Sequence, residues 1–413
     1  MNFWLYLITT CLLSQLVSFA VCLKLFESKA AKLVIKFSFL FFNLLWAVCV
    51  FLLYGQAMGG PWWVFVGRPA LSWELSCVLL IIPITLVGAI YLVYRVICWM
   101  LYGLRRLKED REREVSLGRR RFLKKAGAAG IVAYAGLCGV GVLAQTIRPG
   151  FARKELFFPS LPPSLDGFKI CQLTDLHLGM WSSASELRST LEAAMGERPD
   201  LVLITGDLVD RDPENARLYH EPLGLLSGVP HGVFAVLGNH DHYAGAARVT
   251  ELLNGYGLRM LVEETHCLPD VPITLVGLDD QNSGSWMGFY TSRKKRGLET
   301  DPDILDFGRL RGPARRPGDF SVLMNHRPEG YRQASREGFD LFLAGHTHGG
   351  QYQAPWDSQD NLAAYFYRYS SGLYSEHDCY LNVSRGLASV GLPYRLFAWP
   401  EIDVITLRKG PRA

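Results

Sequence analysis

Three long apolar runs near the start of this 413-residue chain constrain its fold more than any other feature. They extend over Phe3–Leu23, Leu33–Tyr54 and Leu75–Tyr102 and contain few charged residues. Each run reaches the ~20 residues that a helix needs to cross a bilayer. Tryptophans cluster towards the ends and connections of the runs, as interfacial aromatic residues do. The pattern predicts three transmembrane helices within residues 1–102.

A basic segment at residues 103–125 follows the apolar runs and indicates their orientation. It holds ten Lys or Arg against four Asp or Glu, whereas the net charge of the whole chain is only +4. By the positive-inside rule this segment is cytoplasmic. A Gly- and Ala-rich run at residues 126–148 then predicts a fourth transmembrane or signal-anchor helix, which brings the remainder of the chain to the outer side. Because no basic field extends over the chain, binding of nucleic acid is not predicted.

The basic segment also contains a short motif with two readings. Arg119, Arg120 and Arg121 precede Phe-Leu-Lys, and this resembles a twin-arginine export signal in an internal position. The export reading makes the twin-arginine machinery a partner of the chain. The alternative is a plain positive-inside anchor, and an uncleaved anchor is expected in both cases.

The composition changes after the apolar half, and all ten histidines lie at or beyond His177. Prolines at 159, 162 and 163 predict a stiff linker over residues 149–168, followed by a domain at residues 169–413. In that domain five short β-like runs are each followed by a loop rich in Asp, His, Asn or Gly. The runs are Lys169–Leu173, Leu201–Thr205, Val233–Leu237, Phe320–Met324 and Leu341–Ala344. Helical patterns, including Ser185–Gly196 and Ala246–Tyr256, fall between them, so the domain is predicted to be α/β with its site at the carboxyl ends of the strands.

The loops supply a consistent set of metal-ligand side chains. The candidates are Asp175, His177, Asp207, Asn239, His326, His346 and His348. A mixed set of His, Asp and Asn without Cys differs from a closed structural zinc site and suits Mn, Fe or Zn. Two such ions ~4 Å apart favour in-line displacement at phosphorus. The sequence therefore predicts a two-metal phosphoesterase.

At these residues the chain resembles the calcineurin-like metallophosphoesterase superfamily, and the ending around Arg385 and Glu401 is similar to its bacterial membrane-associated phosphodiesterase branch. The resemblance implies a β-sandwich flanked by helices. It implies that Asp207 bridges two metals and that a metal-bridging hydroxide attacks phosphorus. It also implies that His240 stabilises the transition state or protonates the leaving oxygen, and that Asp241 orients His240. The implied ligands are Asp175, His177, Asp207 and His348 for one metal, and Asp207, Asn239, His326 and His346 for the other.

The resulting hypothesis is a phosphodiesterase of the bacterial inner membrane with its catalytic domain on the periplasmic or extracytoplasmic side. A phosphomonoester or a lipid phosphate is also a candidate substrate, because the membrane spans hold the site near the bilayer. Two alternatives are a pyrophosphatase acting on a nucleotide-sugar lipid and a non-catalytic metal-binding scaffold. The complete ligand set and His240 favour an enzyme. Arg327 is left as a phosphate-binding or a surface residue, and a disulfide between Cys267 and Cys379 is left open.

Overall fold

The protein is described by a computed structural model. It covers residues 28–54, 148–179, 183–280, 305–391 and 394–412, and shorter stretches at 15–16, 18–23, 122, 125–130, 133, 136 and 140–141. The chain forms two compact units, Met1–Val142 and Leu143–Ala413.

The described residues of the first unit include a long helix, α1, at Lys29–Tyr54. This confirms that the second apolar run is helical. Its large apolar side chains are exposed at Leu33, Val34, Phe37, Leu40, Phe41 and Leu44. Within the residues described, no helix meets the length and apolar content of a membrane span. The other predicted spans and the basic segment 103–125 lie wholly or largely outside the described residues.

The second unit contains two six-stranded mixed sheets and a two-stranded ribbon. The first sheet has the order β1-β14-β2-β3-β4-β5, and β2, β3, β4 and β5 run parallel. Its strands are β1 (Gly150–Phe158), β2 (Lys169–Leu173), β3 (Leu201–Thr205), β4 (Val233–Val236), β5 (Arg259–Met260) and β14 (Glu401–Lys409). The second sheet has the order β12-β13-β9-β8-β7-β6. Its strands are β6 (Glu264–Cys267), β7 (Ile273–Gly277), β8 (Phe320–Met324), β9 (Leu341–Ala344), β12 (Gly372–Glu376) and β13 (Cys379–Val383). The ribbon pairs β10 (Gln353–Ala354) with β11 (Asp357–Asn361).

Short helices connect the strands of the second unit. They are α2 (Ala184–Gly196), α3 (His220–Leu223), α4 (Asn239–Ala244), α5 (Ala246–Gly255) and α6 (Tyr331–Arg336). Helix α2 begins with a capping box, in which Ser183 accepts from the Glu186 backbone N–H and the Glu186 carboxylate accepts from the Ser183 N–H. It buries Leu187 and Leu191 at helical spacing. The predicted strands and the two predicted helices are thus confirmed with small shifts at their ends.

The two sheets pack face to face, as expected for a sandwich. Apolar side chains of both sheets form one core, in which the Phe158 ring meets Phe320 and Tyr380 edge-on with centroids 4.8 and 5.2 Å away. A second core forms where α2 and α5 cover the first sheet, and a third where α6 packs against the second sheet. Apolar surface is therefore buried on both faces of each sheet, and this burial stabilises the layered arrangement.

The predicted linker at residues 149–168 is wrong over its first half. Residues 150–158 form β1, which pairs in parallel with β14 over nine residues. Leu156 and Phe158 are buried in the core between the sheets, and this burial fixes the segment in place. The second unit therefore begins its folded structure before the proline-rich turn. Cys267 and Cys379 are both free thiols, so no disulfide links them.

Candidate metal centre

All the predicted metal ligands come shortly after parallel strands, in loops or, for Asn239, at the start of helix α4. Asp175 and His177 follow β2, Asp207 follows β3, Asn239 follows β4, His326 follows β8, and His346 and His348 follow β9. The loops that follow these strands meet at the same edge of the sandwich. Hydrogen bonds between the loops of one sheet and those of the other show this. The His346 backbone N–H donates to Asp175 Oδ2, and His326 Nδ1 donates to the Thr205 carbonyl.

The loops hold their ligands in an uncommon backbone conformation. A positive φ is found at Asp175, His177, Asp207, His346 and His348, with values of +54°, +42°, +50°, +70° and +52°. Residues other than glycine rarely adopt this region, and such residues cluster at functional sites. Gly238 permits a close approach of two loops, because a Cβ there would lie 2.2 Å from Asp207 Oδ1.

Asp175, His177 and His348 form the first candidate ligand group. The Nε2 atoms of the two histidines lie 3.3 Å apart, and His348 Nε2 lies 3.2 Å from Asp175 Oδ1. His348 Nδ1 donates to the Ala388 carbonyl, which leaves Nε2 with a lone pair facing the group. Asp175 Oδ2 accepts two hydrogen bonds, whereas its buried Oδ1 accepts none.

Asp207, His326 and His346 form the second group. His326 Nε2 lies 3.2 Å from Asp207 Oδ2 and 3.2 Å from His346 Nδ1. Asp207 Oδ2 also lies 3.7 Å from His177 Nε2 of the first group. This one carboxylate oxygen therefore faces both groups, which is the position that a bridging ligand requires.

Asn239 lies beside the second group at the start of α4 and is buried. Its Oδ1 atom is 3.4 Å from Arg327 Nη2, and Arg327 Nη1 is 2.6 Å from His346 Nε2. The Arg327 side chain is only 16% exposed and its Nε contacts both carboxylate oxygens of Asp280. The surface reading of Arg327 is therefore wrong.

The donor set fits divalent cations. Burial alone would raise the pKa of Asp175, but the neighbouring His348 lowers it to about 2, so this carboxylate is ionised. Burial alone would lower the pKa of His326, but the Asp207 carboxylate raises it to about 10. Without a metal the His326 imidazole is thus favoured in its charged form, and a bound cation would compete with its proton. Carboxylate and imidazole donors around a buried oxygen that has no hydrogen-bond partner suit divalent metal ions.

His240 lies against the first group, with its ring centroid 4.6 Å from that of His177. The prediction that Asp241 orients His240 is wrong. The Asp241 carboxylate accepts from the backbone N–H groups of Leu208, Val209 and Gly238, because Asp241 occupies the first turn of α4. Asp210 takes the predicted role.

Asp210 and Tyr367 belong to the site but were not assigned roles from the sequence. His240 Nδ1 donates to Asp210 Oδ1 over 2.7 Å, and the Tyr367 hydroxyl lies 3.0 Å from His346 Nε2. Asp210 follows Asp207 by three residues in the same loop, and this spacing could have indicated that Asp210 lies near the site. Tyr367 follows the ribbon, and no motif near it in the sequence indicates that it belongs to the site.

Comparison with known proteins agrees with this geometry. Residues 168–350 match the family model described as calcineurin-like phosphoesterase. The chain is 30% identical over 303 residues to "Uncharacterized metallophosphoesterase YkuE" of Bacillus subtilis, covering 71% of this chain and 98% of that protein. It is 28% identical over 301 residues to "Phosphodiesterase YaeI" of Escherichia coli, covering 70% of this chain and 99% of that protein.

A third relative is considerably longer than the shared region. The chain is 28% identical over 309 residues to "Transmembrane protein with metallophosphoesterase domain" of Bos taurus, covering 72% of this chain and 65% of that protein. The residues that match the family model, 168–350, include the loops that carry both ligand groups. This chain therefore belongs to the calcineurin-like phosphoesterase family and is a hydrolase of phosphate esters.

Proposed function

We propose that this protein is a two-metal phosphodiesterase associated with a membrane. The observation that carries the two-metal assignment is the position of Asp207 Oδ2, which faces His326 at 3.2 Å and His177 at 3.7 Å. The name of the Escherichia coli relative supports a diester as the substrate.

The two ligand groups would each hold one cation. Asp175, His177, Asp207 and His348 would hold the first, and Asp207, Asn239, His326 and His346 would hold the second. When bound, the two divalent cations supply charge stabilisation at the phosphoryl group and an activated water molecule. The chain keeps the ligands rigid, because Thr174 and the His346 N–H fix Asp175 Oδ2 and the His240 N–H fixes Asp207 Oδ1.

His240 is suited to donate a proton to the leaving oxygen. Burial alone would lower its pKa, but the hydrogen bond to Asp210 and the charge of Asp207 raise it. The charged imidazolium is therefore favoured, and its Nδ1–H is committed to Asp210. The Nε2–H remains to act on the substrate as a general acid.

Arg327 supports a substrate with one negative charge. Its guanidinium reaches His346 and Asn239 of the second group, where a phosphoryl oxygen would bind. Asp280 is buried against the same guanidinium and compensates its charge. Because Asp280 already neutralises the charge of Arg327, the pair suits a phosphodiester monoanion better than a phosphomonoester dianion.

The chemical assignment is tested with chromogenic substrates. The purified full chain is reconstituted with Mn²⁺, Fe²⁺, Co²⁺ or Zn²⁺, and bis(p-nitrophenyl) phosphate is compared with p-nitrophenyl phosphate. We expect a higher kcat/KM for the diester, and loss of both activities in Asp207→Asn. A preference for the monoester overturns the diester assignment. Absence of hydrolysis with every metal favours the scaffold alternative.

Association with the membrane is supported by two observations. Helix α1 exposes six large apolar side chains along its length, which suits contact with lipid or with neighbouring apolar helices. Relatives from Bos taurus and Danio rerio are named transmembrane proteins.

A reporter enzyme fused to Ala413 tests on which side of the membrane the catalytic domain lies. Reporter activity only on the cytoplasmic side contradicts the extracytoplasmic placement. Equal turnover of soluble and vesicle-borne phosphodiesters removes the lipid-phosphate proposal.

A further inference from the structure

Arg395 is completely buried, and it forms no ion pair with a carboxylate among the residues described. Arginine is seldom fully buried without such a pair, because removing a charge from water is costly. Attraction to a metal does not explain its position either, since a bound cation and a guanidinium repel each other. The hydrogen bonds of its guanidinium offer a different explanation.

The guanidinium of Arg395 joins distant points of one loop, the segment between β13 and β14. Nη1 donates to the Ala398 carbonyl over 3.0 Å, and Nε donates to Ser389 Oγ over 3.2 Å. Nη2 donates to the carbonyls of Arg385 and Ala388, the first over 2.8 Å. Charge-assisted hydrogen bonds of this kind are stronger than neutral ones, so Arg395 sets the shape of the loop.

The same loop lies directly on the first ligand group. The Ala388 backbone N–H donates to the Asp175 carbonyl over 2.9 Å, and Leu387 donates to Thr174 over 3.1 Å. The Ala388 carbonyl accepts from His348 Nδ1 over 3.0 Å. One residue of the loop therefore contacts two metal ligands, through its N–H and through its carbonyl.

The position of Arg395 also decides which nitrogen of His348 carries the proton. Nη2 lies 3.2 Å from His348 Nδ1, but its two hydrogens are already used by the carbonyls of Arg385 and Ala388. A carbonyl has two lone pairs, so Ala388 accepts from both Arg395 and His348 Nδ1. His348 then presents an unprotonated Nε2 to Asp175 Oδ1 and His177.

We infer that Arg395 is a positioning residue of the metal centre. By holding the Ala388 carbonyl, it fixes both the ring orientation and the tautomer of His348. The inference rests on the proposed function, because it assigns Arg395 to the first of the two metals. It gives Arg395 no contact with the substrate.

The test measures metal binding rather than hydrolysis. Metal-free full-length protein is titrated with Co²⁺, and the visible absorption spectrum and bound equivalents are recorded for wild type, Arg395→Met and Arg395→Lys. We expect Arg395→Met to bind one of two Co²⁺ equivalents roughly 10- to 100-fold more weakly, as loss of an outer-shell partner does. Arg395→Lys should fall between this variant and wild type, because lysine keeps the charge and some donors. It also provides the readout where Arg395→Met does not fold, which is checked by circular dichroism.

Arg385→Met is the matched control. Arg385 belongs to the same loop and is partly buried, but its side chain pairs with Glu401 and Gln353 rather than with His348. Equal weakening in Arg385→Met, or unchanged or tighter Co²⁺ binding in the Arg395 variants, overturns the inference. Failure of wild type to bind Co²⁺ overturns the proposed function itself, so the two failures are distinguishable.

Discussion

His240 Nδ1 donates to Asp210 Oδ1 over 2.7 Å, and this pair abuts the first metal-ligand group. Asp210 is buried, and although burial alone would raise its pKa, the nearby His177 ring, with Nδ1 3.7 Å away, and the hydrogen bond with His240 hold that pKa far below the usual range. The carboxylate therefore remains charged and orients the imidazole. In the proposed reaction His240 donates the proton and Asp210 holds its imidazole in place.

The first prediction concerns this pair. His240→Ala should lower kcat by roughly 10²- to 10⁴-fold, the usual contribution of a general acid. Asp210→Ala should lower kcat less, and the double variant should resemble His240→Ala, because Asp210 acts through the imidazole. Steady-state kinetics with a chromogenic diester give kcat for the wild type, the two single variants and the double variant. The metal content of each protein is recorded as a control. Additive losses would show that Asp210 acts independently of His240.

The second prediction concerns removal of the metals. A ligand that binds only the folded state stabilises it, by about 2.7 kcal/mol when its free concentration is 100 times Kd. Chelation should therefore lower Tm, and added Mn²⁺ or Zn²⁺ should restore it. In Asp207→Asn the metal-dependent gain should largely disappear, because this carboxylate faces both groups. Differential scanning calorimetry measures both effects, and a full gain in Asp207→Asn would exclude a bridging role.

The third prediction concerns the close approach at Gly238. An added Cβ would lie 2.2 Å from Asp207 Oδ1 and 2.4 Å from the Asp207 nitrogen, so Gly238→Ala must displace this ligand. We expect a loss of about 1–3 kcal/mol of stability, as in other overpacked sites, together with weaker metal binding.

Gly224→Ala is the control for this prediction. Gly224 has helical angles of φ −59° and ψ −21°, and a Cβ there meets no atom within 4 Å. This variant should be neutral or more stable by about 0.4–1 kcal/mol. Chemical denaturation of both variants without metal separates stability from metal binding. Equal stability of the two variants would contradict the crowding argument.

The fourth prediction concerns the pair of Arg327 and Asp280. Removing the guanidinium in Arg327→Gln should weaken transition-state binding by about 1.5–3 kcal/mol, as expected for a hydrogen bond to a charged group. Asp280→Asn should leave the Arg327 charge uncompensated and raise the ratio of monoester to diester kcat/KM. The two chromogenic substrates measure this ratio, with Arg327→Lys as the charge-retaining control. An unchanged ratio in Asp280→Asn would remove the charge argument for a diester.

Much of the sandwich could be predicted from the sequence because its central strands are short, apolar and bounded by polar loops. The bounds of β2, β3, β8 and β9 match the predicted runs. Strand β1 was missed because its burial alternates only at its end and its partner, β14, lies about 250 residues later. Local pattern carries no information on such a distant pairing.

In the site, too, the residues marked by local sequence patterns could be predicted, whereas contacts between distant parts of the chain could not. The ligands could be found because parallel strands bring their carboxyl ends to one edge. The sequence assigned the role of orienting His240 to Asp241, and nothing local favoured Asp210 instead, because both lie within three residues of a ligand or of His240. What separates them is the start of α4, where Asp241 accepts the Gly238 N–H. Arg395 gave no signal, since its acceptors are backbone carbonyls that only the folded loop brings together.

The place of β14 between β1 and β2 has a consequence for synthesis of the protein. Among the described strands of the second unit, the one synthesised last fills the gap between the two synthesised first. Before β14 emerges from the ribosome, β1 lacks its described partner and β2 has an open edge, so the nascent sheet is incomplete. A stop codon before Glu401 should therefore yield an aggregation-prone fragment rather than a shortened enzyme.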